Sequence, residues 1–172
     1  MEIIDILKIT IPALLVLITA YLMIGKVLRT EDDRRNFELR KNTASAMTPI
    51  RLRAYERLML VLERTTPNNL IVSVAKPGMT NMELHTTLLS TIRQEFSHNL
   101  SQQIYVSDDL WFYMKAVQES LLRLINQSAS KVNPNAIGTE LAELVINMYK
   151  ISENPPTDIA MEKLKSEVRE KF

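Results

Sequence analysis

Two residues near the end of one predicted helix have the spacing of a metal-ligand pair. Glu95 and His98 form a Glu-x-x-His sequence, which in di-iron helical bundles directs both side chains into the core. Such a centre needs a second Glu-x-x-His, and the chain has none. The other histidine, His85, lies thirteen residues from His98, about 20 Å along a helix axis. We therefore predict no metal site, and a metal-dependent enzyme using Glu95 and His98 stays a third hypothesis.

Other catalytic signatures are also missing from the sequence. There is no cysteine, and none of the serines lies in a Gly-x-Ser-x-Gly turn. The three glycines are isolated, which excludes a phosphate-binding loop or a dinucleotide fingerprint. Asp108 and Asp109 are better interpreted as carboxylates at the positive end of a helix. The sequence thus predicts no catalytic residue and no cofactor, and favours a protein that is not an enzyme.

A set of arginines forms the first candidate surface for binding a partner. Arg53, Arg57 and Arg64 lie at positions i, i+4 and i+11, so they share one face of a helix. Glu56 and Glu63 lie between them, and pairing with these glutamates would make the arginines an ordinary solvated face. The alternative is a face that binds an acidic partner or RNA near a membrane.

Three consecutive aromatic residues form the second candidate surface. Trp111, Phe112 and Tyr113 follow each other, and successive helical residues turn by about 100°, so the three rings lie on different faces. We expect at least one ring to be exposed, and Trp and Tyr are enriched at binding hot spots. The alternative is that Trp111 and its neighbours fill the core.

The residues that would position these surfaces follow helical patterns throughout the second part of the chain. Thr48–Pro49, Thr80 with Glu83, Ser107, and Pro155–Pro156 are helix-start signals. Between them, apolar residues recur every three or four positions. Two examples are Leu84, Leu88, Ile92, Phe96 and Leu100, and Ile137, Leu141, Leu144, Val145 and Met148. The run from Leu70 to Val74 reads as an extended connection. The predicted fold class is all-α, a small helical bundle.

The N-terminal part contains a long apolar segment. Ile9–Leu28 is interrupted only by Lys26, and twenty helical residues cover about 30 Å, the thickness of a bilayer's hydrocarbon core. A cleaved signal peptide would need a basic leader and small residues at its end. Here the leader is MEIIDILK and Tyr21–Met23 are bulky. We therefore predict a retained transmembrane helix.

Basic residues indicate which way this helix faces. Lys8 stands alone before the segment, whereas several basic residues follow it, among them Lys26, Arg29, Arg34 and Arg35. Basic flanks stay on the cytoplasmic side. The predicted organisation is an outer N-terminus at 1–8, a transmembrane helix at 9–28, a charged juxtamembrane segment at 29–47 and a cytoplasmic bundle at 48–172.

The composition is consistent with that location. The formal net charge is +1, which argues against nucleic acid as a general partner. The absence of cysteine fits a reducing compartment.

Two blocks of the sequence carry a resemblance to a known family. LRAYERLMLVLERTTPNNLIVSV (Leu52–Val74) and IRQEFSHNLSQQIYVSDDLW (Ile92–Trp111) resemble a family of uncharacterised single-pass proteins of Bacteroidota. The resemblance implies a bacterial inner-membrane protein and supplies no catalytic residues.

Together these features predict a membrane-anchored accessory or scaffold subunit that binds a membrane protein complex of the secretion, translocation or respiratory type. The bilayer contact is residues 9–28, and the candidate partner contacts are the aromatic residues 111–113 with Arg53, Arg57 and Arg64. A membrane-tethered regulator that binds RNA or a ribosome through its arginines is the second hypothesis. The oligomeric state is left open.

Overall fold

Helices make up all the regular structure that the described residues form. The structure is a computed structural model that describes the backbone of residues 2–152 and 154–172. It describes the side chains of residues 14–23, 26, 38, 45–152 and 154–172. The elements are α1 (Glu2–Thr65), α2 (Pro67–Val74), α3 (Asn81–His98), a short 3₁₀ helix (Leu100–Ile104), α4 (Asp108–Ala129), α5 (Thr139–Ile151) and α6 (Pro156–Lys171). The all-α fold class is therefore confirmed.

The chain divides into two compact units, residues 1–48 and residues 49–172. In the first unit, every large apolar side chain among residues 14–23 is exposed. Across the part of the chain whose side chains are described, no helix combines the length and the apolar character needed to cross a membrane. Within the predicted span at 9–28, only the side chains of residues 14–23 and 26 are described. The side chains of residues 9–13, 24, 25, 27 and 28 lie outside the described residues.

Local capping explains where two helices of the second unit begin. Thr80 accepts a hydrogen bond from the Glu83 backbone N–H at 3.2 Å, and the Glu83 carboxylate accepts one from the Thr80 N–H at 2.8 Å. This reciprocal pair is the capping box that the sequence predicted for α3. Likewise, Ser107 Oγ accepts from the Leu110 N–H at 3.1 Å at the start of α4. Both predicted helix starts are confirmed.

The core of the second unit is built from one apolar stripe on each helix. On α1 the stripe includes Tyr55, Leu58 and Leu62, and it packs with the stripes of α3 and α4. Those two stripes are Leu84, Leu88, Ile92 and Phe96, and Leu110, Met114, Val117, Leu121 and Ile125. Leu141 and Val145 of α5, Ala160 and Leu164 of α6, and Leu70 and Ile71 of α2 also belong to it. Because these side chains leave water together, their burial is the main favourable term for folding.

Polar contacts connect the start of α3 to α5 and to the segment before α5. Asn81 is buried; its side chain donates to the Asn133 carbonyl at 2.8 Å and accepts from the Leu141 N–H at 3.2 Å. Beside it, the Gly138 N–H donates to the Met79 carbonyl at 2.8 Å. A Cβ at position 138 would lie 3.1 Å from that carbonyl oxygen, so the close approach of the two segments favours glycine.

Several local predictions are wrong. The helix start at Thr48–Pro49 is not a start, because α1 runs without interruption from Glu2 to Thr65; a proline inside a helix removes one hydrogen bond without always ending it. Residues 70–74 belong to α2, which Pro67 begins at a position where the missing N–H costs little. Leu100 and Ile137, predicted to face the core, are exposed, because both lie outside the α-helices whose stripes they were assigned to.

Candidate interaction surface

Glu95 and His98, which have the spacing of a metal-ligand pair, are not joined by further ligands among the described side chains. The Glu95 carboxylate lies 3.7 Å from Arg64 Nη1, and His98 is exposed. His85 Nε2 lies 2.8 Å from Asn126 Oδ1. Among the described side chains, no group of three or more histidines and carboxylates is arranged to hold a metal ion.

The arginine surface is only partly engaged with other residues. Arg64 pairs with Glu95 of α3, not with Glu63 of its own helix. Arg53 and Arg57 are exposed, and no ion pair within the described residues involves either of them. The expected pairing of Arg53 and Arg57 with Glu56 and Glu63 therefore does not form, and two guanidinium groups stay available to solvent or to a partner.

The aromatic residues are divided between core and surface. Trp111 is 9% exposed and Phe112 is 68% exposed, whereas Tyr113 is half-buried. The rings of Phe112 and Tyr113 meet edge to face at 6.1 Å between centroids, and Lys163 Nζ lies 5.8 Å from the Tyr113 centroid. Lys163 Nζ also lies 2.6 Å from the Asp109 carboxylate, and the hydrogen bond that the ammonium group donates to Asp109 raises the pKa of Lys163. Phe112 is thus the aromatic side chain that a partner could reach.

Sequence reasoning missed a buried carboxylate network around Glu167, which is only 6% exposed. Its Oε1 accepts hydrogen bonds from Tyr55 Oη at 2.7 Å, from the Ser107 N–H at 3.0 Å and from Lys171 Nζ at 2.8 Å. The Ser107 hydroxyl donates to its Oε2. The carboxylate therefore joins α1, the start of α4 and α6.

The donors around Glu167 keep the carboxylate charged. Burial acts to raise the pKa of Glu167, but the hydrogen bonds from Lys171, Ser107 and Tyr55 outweigh burial and lower it to about 2. The pKa of Tyr55 is raised, first by burial and then by its hydrogen bond to Glu167. The network thus keeps a charged, hydrogen-bonded carboxylate buried beside the exposed Lys171.

A pattern in α6 could have indicated this carboxylate. Ala160, Leu164, Glu167 and Lys171 recur every three or four residues, so Glu167 continues the apolar stripe. A carboxylate on such a stripe must be paired, because an unpaired buried charge is costly. What the sequence could not supply is the identity of the distant donors Tyr55 and Ser107.

An open apolar groove lies between α1 and α6 on the same side as this network. Its volume is about 600 Å³. It is lined by Leu52, Tyr55, Glu56, Met59, Leu60, Leu164, Lys165, Val168 and Arg169. Leu52 is 40% exposed and Leu60 is 52% exposed, which is a large apolar exposure for neighbouring positions on one helix.

These features define an all-α protein with a buried carboxylate network and an exposed apolar groove. The chain belongs to the family of unknown function DUF7935, whose match covers residues 1–171. No curated protein and no solved structure matches the chain significantly. The prediction of an uncharacterised family is confirmed, whereas the Bacteroidota origin and the single membrane span stay predictions.

Replacing Glu167 by Gln tests the network. The folded-state pKa lies below the ordinary value of 4.5, so the network's stabilisation is fully present above that value and is lost as pH falls through about 2. We expect Glu167→Gln to lower the free energy of unfolding by about 2 kcal/mol at pH 7. The difference from the unmodified protein should shrink between pH 5 and pH 2.

The measurement is urea unfolding of the full chain in mild detergent, followed by the fluorescence of the single tryptophan, Trp111. Glu162→Gln, on the exposed side of α6, is the matched control and should behave like the unmodified protein. If Glu167→Gln and Glu162→Gln had the same free energy of unfolding at pH 7, or if that free energy depended on pH in the same way in both, the role assigned to Glu167 would be contradicted.

Proposed function

We propose that this protein is a non-catalytic, membrane-anchored accessory or scaffold subunit of a bacterial inner-membrane protein complex. The observation that carries the proposal is the run of exposed apolar side chains at residues 14–23. In water such a run would be costly, and burial in hydrocarbon removes that cost. The run belongs to the apolar sequence Ile9–Leu28, which is long enough to span a bilayer as a helix.

The proposed orientation has the N-terminus outside and residues 49–172 in the cytoplasm. Lys26 is exposed, while Arg29, Arg34 and Arg35 lie outside the described side chains. The support for the orientation is therefore the excess of basic residues after the segment, which marks the cytoplasmic flank. The resemblance to single-pass proteins of Bacteroidota supports a bacterial inner membrane.

Phe112 is the proposed centre of the contact with the complex. Its ring is exposed beside the half-buried Tyr113, and exposed aromatic side chains on a rigid helix lose little conformational entropy on binding. Anchoring to the same membrane also raises the effective concentration of this surface for membrane-bound partners. The partner would be a secretion, translocation or respiratory complex.

Charged substitutions in the apolar segment test the anchor. An arginine at the centre of a membrane helix costs about 2.5–3.5 kcal/mol, so Leu15→Arg combined with Leu17→Arg should release the protein from membranes on carbonate extraction. The control is Leu100→Arg combined with Ile104→Arg, at two exposed apolar positions of the second unit, which should stay membrane-bound.

Labelling of single introduced cysteines tests the orientation, because the chain has no native cysteine that would react. A membrane-impermeant maleimide should label Glu2→Cys in intact cells and Glu119→Cys only after permeabilisation. Carbonate release of the unmodified protein would contradict the anchor, and the reverse labelling pattern would contradict the orientation.

Removal of the Phe112 ring tests the partner contact. After crosslinking and solubilisation in mild detergent, affinity purification of the full chain should recover a stoichiometric set of membrane proteins identified by mass spectrometry. Phe112→Ala should reduce that recovery at least fivefold without unfolding the protein, because the ring is exposed. Ile104→Ala, at another exposed apolar position, is the control. Full recovery with Phe112→Ala would show that the contact lies elsewhere.

A second candidate function is a membrane-tethered regulator that binds RNA or a ribosome. The observation that favours it is the exposure of Arg53 and Arg57 without an ion-pair partner in the described part of the chain. Exposed guanidinium groups on one helix face attract phosphates and release counterions on binding.

Charge reversal on α1 distinguishes this second function from the first. If RNA binds here, Arg53→Glu combined with Arg57→Glu should abolish ribosome co-sedimentation, and binding to the unmodified protein should fall steeply with salt. Arg123→Glu, at an exposed position on α4, is the control. Co-sedimentation that is absent, or unchanged by the double substitution, would exclude the RNA-binding function.

A further inference from the structure

The helix α6 is held in the second unit by few buried apolar side chains. Four of its sixteen residues are buried, and two of those four are polar: Thr157, Ala160, Leu164 and Glu167. Met161 and Val168 add only partly buried surface. In α4, six of the seven buried residues are apolar. Because buried apolar area contributes most to the attachment of a helix, α6 depends more on its polar contacts than α4 does.

The contact between α6 and α1 is also incomplete. The open groove between the two helices leaves Leu52 and Leu60 exposed to solvent. Tyr55 of α1 bridges this gap, because it donates to the Glu167 carboxylate at 2.7 Å and meets the Phe172 ring edge to face, with 6.2 Å between the centroids. Since water already reaches part of the apolar surface along α1, less of that surface is newly exposed when α6 leaves.

Among the polar contacts of α6, those made by Glu167 are the firmest. Lys163 pairs with Asp109 of α4, but these side chains are 41% and 59% exposed, so the pair contributes little to stability. Thr157 and Tyr149 of α5 form a neutral hydrogen bond. The buried Glu167 carboxylate instead accepts hydrogen bonds from α1 and from the segment before α4, and hydrogen bonds to a charged group are the stronger class.

The donors to Glu167 stay with α1 and α4 when α6 is away. Tyr55 Oη and the Ser107 N–H lie 2.7 Å and 3.0 Å from the same carboxylate oxygen, and the Ser107 hydroxyl donates to the other oxygen. These donors converge beside the apolar cluster to which Ala160 and Leu164 belong. Water can satisfy the donors but not the apolar surface, so the vacated site favours a ligand that carries both a carboxylate and apolar groups.

We propose that α6 is a displaceable helix in a recognition site on α1 and α4, and that an amphipathic helix of a partner protein, with one carboxylate on its apolar stripe, binds there in its place. The pattern of α6 defines this ligand. Ala160, Leu164 and Glu167 follow each other at steps of four and three residues, which puts the carboxylate on the apolar face. Helices that bind apolar grooves use the same spacing. The proposal concerns residues 49–172 and does not rest on the membrane anchor.

In this arrangement α6 inhibits the site within its own chain. Local opening of a weakly attached helix leaves the rest of a protein folded. A partner that binds only the open form increases the population of that form, but the tethered α6 competes with it at a high effective concentration. The contacts that hold α6 closed therefore set the apparent affinity for the partner helix.

Thiol labelling measures the opening of α6, because the chain has no cysteine of its own. Ala160 is 0% exposed, so a maleimide reaches Ala160→Cys in the full chain only when α6 is away. Val61→Cys, buried on the side of α1 opposite Leu52, reports global unfolding. In mild detergent, Ala160→Cys should react about 100-fold faster than Val61→Cys. Equal rates would show that α6 opens only when the whole unit unfolds, and would overturn the proposal.

Two substitutions distinguish local from global opening. Ile92→Val, at a buried position of α3, should speed the labelling of Val61→Cys several-fold and leave that of Ala160→Cys unchanged. Glu167→Gln should speed the labelling of Ala160→Cys about thirtyfold, whereas Glu162→Gln should not. An effect of Ile92→Val on both thiols, or no effect of Glu167→Gln, would contradict the proposal. Hydrogen exchange of the unmodified chain gives the same comparison without substitution, because the amides of α6 should exchange before those of α3.

A synthetic peptide with the sequence of residues 155–172 is the probe for the partner helix. The host is the full chain with Ala160→Cys and Glu167→Gln, whose own α6 is weakly held. The peptide should raise the labelling rate to a plateau as it fills the vacated site. The same peptide with Glu167→Gln should need about a tenfold higher concentration, because it leaves the donors without a carboxylate. A peptide without effect, or equal potency of the two peptides, would overturn the proposal.

Discussion

The buried carboxylate of Glu167 is the interaction on which the arrangement of the second unit depends. A carboxylate that leaves water loses a large hydration free energy, and only several well-placed donors can compensate for it. Here a phenol, a backbone amide, a hydroxyl and an ammonium group all donate to it. Because those donors come from α1, from the segment before α4 and from α6 itself, the charge can be satisfied only when these elements are in place together.

The position of the groove follows from this network. Tyr55 is both a donor to Glu167 and a lining residue of the groove, and Leu164 and Val168 flank Glu167 on α6. Fixing α6 against α1 therefore also fixes the distance between Leu52 and Leu60 on one side of the groove and Lys165 and Arg169 on the other. A surface held in this way is preorganised, so that binding needs little further ordering of the backbone.

What could be predicted from the sequence is largely what depends on neighbouring residues. The capping box of Thr80 and Glu83 involves residues three positions apart, and the stripe of α4 repeats within one helix, so both are visible as patterns. Glu167 pairs with residues 60 and 112 positions away, and no local pattern identifies such partners.

The local errors have a related cause. Pro49 predicts a helix start because proline is common at the first helical position, but a helix can also continue through a proline, as α1 does here. The run from Leu70 to Val74 contains β-branched residues and reads as extended, yet it forms a helix whose Leu70 and Ile71 are buried. In such short segments, tertiary packing outweighs local propensity. The same holds for the arginines. Their spacing predicts a shared helix face, but it does not predict that Arg64 pairs with Glu95 of α3.

Paired and unpaired charges are distributed unevenly over the described surface of the second unit. Asp109, Glu95 and Glu167 each have a cationic partner in the described structure, and the pair of Glu167 is the one whose carboxylate is buried. The charges without such partners include Arg53, Glu56 and Arg57 on one part of α1 and Lys165 and Arg169 on α6, beside exposed leucines. In water, an exposed charge and an exposed leucine do not stabilise each other. Their combination on one surface is typical of an interface with an apolar centre and a polar rim.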